Sequence, residues 1–294
     1  MSVWAPILQR KRHPVLSKSD MVTIPADPAF ESSRDRARYR RMPGFSAVDL
    51  MDASFRDHHF APHTHDVLML GIMREGAMRF MREGVMETIG PGGITVINPG
   101  DVHTGGRCAG ERLVYTGIYA PDPVLARADL GGGLSFARGV VIDPECWRLF
   151  LRATAPAADP LAAQEDILEG LSRLGRHADR RPPRQDRACS ASAARAIDYV
   201  HAHYAEAFTI ENLADIAGIT PRHMIRSFRK ATGMPPHAYL RQLRVAEARR
   251  LLERGLPIAE IALATGFADQ PHFSKVFKQV TGATPGRYRL DMAA

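Results

Sequence analysis

Thr-Gly-x-x-Pro-x-x-Tyr occurs twice near the end of the chain, as TGMPPHAY at 232–239 and TGATPGRY at 281–288, an offset of 49. Phe228 and Phe277 stand four residues before the two Thr-Gly pairs, and LADIAG (213–218) aligns with IALATG (261–266) at an offset of 48. One unit therefore has to fold twice, with one extra residue between the halves of its second copy. In each copy a short apolar-periodic helix ends at Gly218 or Gly266, because glycine takes the left-handed backbone that stops a helix and turns it sharply. A second helix then starts at a capping residue. Thr220 followed by Pro221 is a strong start signal, since the hydroxyl accepts a free backbone N–H and proline loses nothing at the first helical position. Asp269 plays the same part in the second copy. Helix, short turn with glycine, second helix is the helix-turn-helix arrangement, whose second helix enters a major groove of DNA.

Between the copies, PHAYLRQLRVAEARRLLERG predicts one amphipathic helix from about Pro236 to Arg254, with Leu240, Leu243, Ala246, Ala248, Leu251 and Leu252 inward. At 1.5 Å per residue it spans roughly 28 Å, near the ~34 Å between successive turns of one groove face. Two grooves are thus within reach of one chain. By period, Met224, Phe228, Phe273 and Phe277 face the core. The outer face carries Arg222, Ile225, Arg226 and Arg229 in copy one, and Gln270, Pro271, Ser274, Lys275 and Lys278 in copy two. Arg222 and Arg226 can bond guanine bidentately, Gln270 suits adenine, and Ile225 suits a thymine methyl. Arg229, Lys230 and Lys278 sit later in their helices, where phosphate is the expected partner. Charge agrees: residues 191–294 hold 14 Lys+Arg against 9 Asp+Glu, so +5 of the chain's +7 lies in this part.

The remainder divides by texture. Residues 1–44 mix prolines and charges, including the run Arg34 to Arg41, and are expected to form a solvated N-terminal arm. From 45 to 120, short apolar runs (Val67 to Ile72, Met78 to Met81, Ile94 to Ile97, Leu113 to Tyr119) are broken by turn signals at Glu75-Gly76, Glu83-Gly84, Gly90-Pro91-Gly92-Gly93 and Pro99-Gly100-Asp101. That spacing predicts an antiparallel sandwich or barrel. Helices are expected from Pro144 to Arg152 and from Leu161 to about His177. Ile167, Leu168, Leu171 and Leu174 of the latter form a stripe that needs an apolar partner, either the chain's own sheet or, preferred here, the same helix of a second subunit. Residues 178–190 read as an exposed linker before the C-terminal domain of 191–294, leaving 45–177 as the sensor and dimerisation domain.

No apolar run approaches the ~18 residues that span a bilayer, and Gln9-Arg10-Lys11-Arg12 stands where a signal peptide would be apolar, so a cytoplasmic protein is expected. Cys108, Cys146 and Cys189 lie far apart without C-x-x-C spacing and are read as reduced thiols.

Residues 191–294 resemble the DNA-binding domain of the AraC/XylS family of bacterial transcription regulators. The matches are LADIAGITPRHMIRSFRKATGMPPHAYLRQLRVAEARRLL and IAEIALATGFADQPHFSKVFKQVTGATPGRYR. The family's base-facing positions fall on Arg222, Ile225 and Arg226, and on Gln270, Pro271, Ser274 and Lys275. Two of these depart from the pattern: Ile225 stands where the family often has a polar side chain, and Pro271 lacks both a backbone donor and a polar side chain. PHTHDVLMLGIMREG and INPGDVHTG look like the sensor half of the same family, a cupin-type barrel. The resemblance implies a two-domain α+β protein: a cupin-like β-barrel with following helices, then an all-α domain of two helix-turn-helix units joined by a long helix. It also implies a small-molecule effector inside the barrel, a homodimer, double-stranded DNA as partner and, for an activator, RNA polymerase.

HHFAPHTHDV at 58–67 puts four histidines into ten positions. A metal cupin would offer His-x-His, a carboxylate about four residues on, and a third histidine after a Pro-Gly turn. His63, His65 and His103 supply the imidazoles, but Met69 or Leu70 stands at the carboxylate's place, Asp66 points to the opposite face and Glu75 falls at a turn. The expectation is therefore no cofactor, with these three histidines as effector contacts and a metal as the lesser reading. His63 and His65 are placed on one strand, and His58 and His59 in the loop before it. The rival functions are a cupin-type metalloprotein or metalloenzyme with a DNA-binding tail and a regulator controlled by a partner protein.

Overall fold

The computed structural model describes residues 35–130, 134–179 and 190–293. β1 (Arg36–Met42), β2 (Phe45–Phe55), β3 (His59–His63), β4 (Leu68–Arg82), β5 (Val85–Ile89), β6 (Ile94–Ile97) and β7 (His103–Ala120) precede a short helix α1 (Asp122–Arg127) and the edge strand β8 (Val140–Val141). Together they make the expected barrel domain, one antiparallel sheet in the order β1-β2-β7-β4-β6-β8, with β3 on β7 and β5 on β4. The long β4 and β7 pair along most of their length and carry every other strand except β1 and β8.

Two expectations are corrected here. The arm does not run to residue 44, because Arg36–Met42 is a strand on β2. Ala37 and Tyr39 point inward, while two of the arginines are taken up by the neighbouring strand, Arg40 by Asp52 at 2.8 Å and Arg41 by Asp49 at 2.5 Å. The Arg-Ala-Arg-Tyr-Arg alternation is a strand period with few apolar members. Likewise Glu75-Gly76 is not a turn, and Met78 to Met81 is no separate strand. The pairing of β4 with β7 continues on both sides, Met73 opposite Tyr115 and Met78 opposite Arg107, and Gly76 (φ +72°) absorbs the register shift as a bulge. Residues 1–34 of the arm, 180–189 of the linker and Cys189 lie outside the described residues.

The sheet has two buried faces. Leu50, Leu70, Ile72, Val96 and Ile118 pack under α1, α2 (Pro144–Ala153) and α3 (Pro160–Leu174). Each fully buried Leu or Ile contributes about 1.5–3 kcal/mol. Ile167, Leu171 and Leu174 of α3 are wholly buried in this layer and Leu168 packs at its margin. The stripe therefore serves the chain's own sheet and not a second subunit: α2 and α3 form a lid, tied down where Trp147 Nε1 donates to the carbonyl of Met73 (2.9 Å).

Asp143 caps α2, accepting from the backbone of Glu145 (3.1 Å) and Cys146 (3.0 Å), and also pairs with Arg173 of α3. Burial alone would raise its pKa, but the Cys146 N–H, His177 and Arg173 outweigh that and hold it at about 2. The folded value lies below the unfolded one, near 3.9, so this stabilisation is present above pH ~4 and is lost as pH falls through 2. It amounts to up to about 2 kcal/mol, screened in part at the open edge. Urea unfolding between pH 5 and pH 2 should show a steeper loss for the wild type than for Asp143→Asn; parallel curves would contradict this.

The C-terminal domain comprises α4 (Ala191–Ala202), α5 (Ile210–Ala217), α6 (Pro221–Thr232), α7 (Pro236–Glu253), α8 (Ile258–Ala264), α9 (Gln270–Thr281) and α10 (Pro285–Ala293). Gly218 (φ +68°) and Gly266 (φ +77°) make the two sharp turns, and the Thr220 and Asp269 side chains accept from His223 and His272 at the starts of α6 and α9. The repeated motif has a plain physical content. Thr232 and Thr281 each donate to the carbonyl four residues back (2.9 and 2.8 Å) and accept the N–H two residues on (both 3.3 Å), closing the helix end before an αL glycine. Pro236 and Pro285 start the next helix, and Tyr239 and Tyr288 set their rings edge-on to Phe228 (5.4 Å) and Phe277 (5.6 Å).

The copies differ in surroundings. Met224 and Phe228 close a small core with α4, α5 and the start of α7. Phe273, Phe277 and Tyr288 join one continuous core with Met51, Met69, Tyr115 and Tyr119 on the second face of the sheet. Helix α7 serves both, with Leu240 and Leu243 toward the first core and Val245, Ala248 and Leu252 in the second. Ala246, expected inward, is exposed. Among the described residues no helix is long and apolar enough to cross a membrane.

Candidate functional site

On α6, Arg222, Ile225, Arg226, Arg229 and Lys230 are exposed, while Met224 and Phe228 are completely buried. On α9, Gln270, Pro271, Lys275 and Lys278 are exposed and Ser274 is half-buried, over the buried Phe273 and Phe277. Among the described residues no ion pair takes up any of these six cations. Each of the two helices thus presents an unspent positive edge, and α7, 18 residues and about 27 Å long, separates them.

The second constellation lies where the sheet meets α7. A cavity of about 350 Å³ is lined on the sheet side by Met51, Met69, Phe80 and Tyr119, among others, and on the other side by Gln242, Val245, Ala246 and Arg249 of α7. The effector position expected inside the barrel is therefore roofed by the C-terminal domain. His63, His65 and His103 line its polar end. His63 and His103 face each other as a cross-strand pair of β3 and β7, with ring centroids 4.1 Å apart. His65 lies just past the end of β3, not on the same strand as expected, and the turn brings its ring to 5.0 and 5.1 Å from the other two. His59 begins β3 and so does not belong to the preceding loop; His58 does. Burial, reinforced by the neighbouring imidazoles, lowers His65 and His103 well below the usual histidine range and takes His63 to about 4. All three are neutral at pH 7. Tyr119, whose ring stands edge-on to His65 at 5.1 Å, is pushed up by burial to about 12 and keeps its proton.

Sequence reasoning missed the residues that join the halves. Arg249 Nε donates to the Tyr288 hydroxyl (3.0 Å), and its guanidinium stands 3.6 Å from Asp49 and over the rings of Tyr39 (5.6 Å) and Tyr288 (5.2 Å). Tyr39 donates through its hydroxyl to the Thr281 carbonyl (2.9 Å) and through its N–H to Asp291 (3.2 Å). A signal existed: Val245, Ala248, Arg249 and Leu252 stand at i, i+3, i+4 and i+7.

Two family models match, an AraC-like ligand binding domain over residues 45–177 and a helix-turn-helix domain over 213–291. The chain belongs to the AraC family. The "HTH-type transcriptional activator RhaR" of Escherichia coli is 28% identical over 269 residues, 83% of this chain and 94% of that protein. The "Bifunctional transcriptional activator/DNA repair enzyme AdaA" of Bacillus subtilis is 39% identical over 93 residues, 31% of this chain. The chain spans only 44% of the length of AdaA and 27% of the regulator YbfI of Bacillus subtilis. These AraC-family relatives carry the names of transcriptional regulators. Among solved structures, unsaturated fatty acid bound ToxT from Vibrio cholerae superposes with a TM-score of 0.53 at 13% identity, covering 83% of this chain and 95% of that one. An apo ToxT variant matches with the same TM-score and identity, covering 97% of its chain. Both share the AraC two-domain fold seen here.

Proposed function

We propose that the chain is a sequence-specific DNA-binding regulator of transcription, not an enzyme, whose sensor half takes a small-molecule effector in the cavity. The observation that carries this is the cavity's place: His63, His65 and His103 line one side, and α7, which joins the two helix-turn-helix units, lines the other. A ligand there touches both halves, so its affinity differs between arrangements of α7, and only such a difference shifts a DNA-binding equilibrium. A mostly apolar chamber with one cluster of imidazoles suits a compound with an apolar body and a polar head. ToxT, with an unsaturated fatty acid bound, supplies a precedent on the same fold. By the same reading the protein works in the cytoplasm as a homodimer and as an activator that contacts RNA polymerase. RhaR, named as a transcriptional activator, supports the activator reading.

In this proposal Arg222, Ile225 and Arg226, with Gln270, Pro271, Ser274 and Lys275, face base edges, and Arg229, Lys230 and Lys278 hold phosphates. Arg226→Ala is then expected to cost roughly 1–3 kcal/mol on the preferred site and to relax choice at one base pair, whereas Lys278→Ala weakens all duplexes alike and lowers the salt slope by about one. Gel-shift titrations on a selected site and on scrambled duplex measure both. Equal affinity of the wild type for all duplexes at ~150 mM salt sinks the proposal. Identical behaviour of the two variants sinks the division of labour.

A further inference from the structure

We propose that His63, His65 and His103 together hold one divalent first-row transition-metal ion, and that the effector binds at the polar end of the cavity as an anionic ligand of that ion. The first half stands on the trio's own geometry; the second rests on the reading of the cavity as the effector site.

Ligand-competent nitrogens of the three rings all lie within 4.8 Å of one another. A tetrahedral ion with bonds of about 2.0–2.1 Å wants such nitrogens about 3.4 Å apart, so the rings have to draw in by at most about 1.4 Å. Two of the rings are already oriented. Nδ1 of His63 donates to the Ala61 carbonyl (2.9 Å) and Nδ1 of His103 to that of Asp101 (3.1 Å). Backbone carbonyls that take up Nδ1–H fix the tautomer and leave the lone pair on Nε2, the usual support of a ligating imidazole.

The remaining nitrogens are the telling ones. Nε2 of His65 and of His103 are buried, and among the described residues no protein group bonds them. An unpartnered buried polar atom destabilises the fold, so two of them in one cluster call for a common partner. A metal ion supplies it. An all-nitrogen donor set selects ions such as Zn(II), Co(II), Ni(II) or Fe(II) over Mg(II) or Ca(II), which want oxygen. Met69 lines the cavity where a carboxylate was sought, and three protein ligands leave at least one position open.

The charge balance then names the effector's chemistry. Three neutral imidazoles leave the ion's two positive charges uncompensated in a mostly apolar chamber. The nearby cations Arg82 and Arg249 are engaged by Asp101 (2.7 Å) and Asp49 (3.6 Å), so neither carboxylate is free for the ion. Asp66, expected on the opposite face, lines the same cavity, but it is exposed and stands outside the close cluster of the three imidazoles, so the anion comes from outside, and a small organic carboxylate meets both the ion and the apolar walls.

Full-length protein stripped with a chelator and dialysed is titrated with Co(II), read by visible absorption and by elemental analysis. One equivalent should bind with the intense bands of a low-coordinate nitrogen site. His65→Gln and His103→Ala should each weaken binding more than 100-fold, beyond the 10–100-fold typical of outer partners, while His59→Ala, on the exposed start of β3, should not change it. Circular dichroism and a thermal melt check that each variant folds, and His65→Gln, at a turn, gives the answer if His103→Ala does not. No stoichiometric uptake, or uptake unaffected by His65→Gln, overturns the metal site. Benzoate or a short-chain carboxylate should shift the Co(II) bands; unchanged bands overturn the second half. Site-specific gel shifts by metal-free protein separate this from the regulator proposal, which survives even if Co(II) does not bind.

Discussion

Phe277→Ala is expected to destabilise the sensor sheet although the residue belongs to the DNA-binding half. Phe277 is completely buried between Phe273 (5.5 Å) and Tyr288 (5.6 Å) in the core that also contains Met51, Tyr115 and Tyr119. Truncating such a side chain costs about 3–5 kcal/mol. Phe228→Ala removes the same group at the same position of the first copy, but from a core that holds no residue of the sheet. Trp147, packed beneath the other face of the sheet, provides the probe. In denaturant titrations followed by its fluorescence in a Trp4→Phe background, Phe277→Ala should move the midpoint strongly and Phe228→Ala only slightly. Equal shifts would mean that both units unfold together with the sensor.

Arg82→Ala should be comparably severe, at about 3–5 kcal/mol. The guanidinium, only 5% exposed, donates to Asp101 (2.7 Å) and to the carbonyls of Phe136 (3.0 Å) and Ala137 (2.6 Å). Its removal leaves a carboxylate half-buried without its countercharge. Asn98 also donates to Asp101 (2.8 Å) and to the Phe136 carbonyl (3.0 Å), which holds the loss toward the lower end of that range. Because Arg82 stands opposite His103 in the β4–β7 ladder, the variant should also loosen the histidine trio. Thermal melts and Co(II) titration of one preparation measure both effects; an unchanged melt would refute the ion pair's role.

Much of the C-terminal half was legible because its signals are local. The caps at Thr220 and Asp269, the stops at Gly218 and Gly266 and the inward Phe-Phe spacing depend on residues a few positions apart. The sensor was harder to read. Glu75-Gly76 looks identical as a turn or as a bulge until the partner strand is known, and β7 settles it by continuing past both sides. The arginine run at 34–41 hid a strand because its countercharges, Asp49 and Asp52, lie on β2. Likewise, the stripe on α3 announced an apolar partner without saying which, and the sheet of its own chain took that place. His63, His65 and His103 were legible as a set, whereas the contribution of Arg249 and Gln242 to the same cavity was not, since it depends on how α7 lies across the sheet.

The twin Thr-Gly motifs also differ in how much change they can absorb. At Gly233 (φ +81°) a new side chain meets the strain of a left-handed backbone, beside a core that holds no residue of the sheet. At Gly282 (φ +78°) the same change also drives a Cβ to 2.9 Å from the ring of Phe55 and 3.2 Å from Ala37. The second site is therefore judged by its own turn together with two strands more than 220 residues away in sequence. A library randomised at Gly282 should return glycine almost alone, so that a turn of the DNA-binding half is held to its sequence by the sensor sheet.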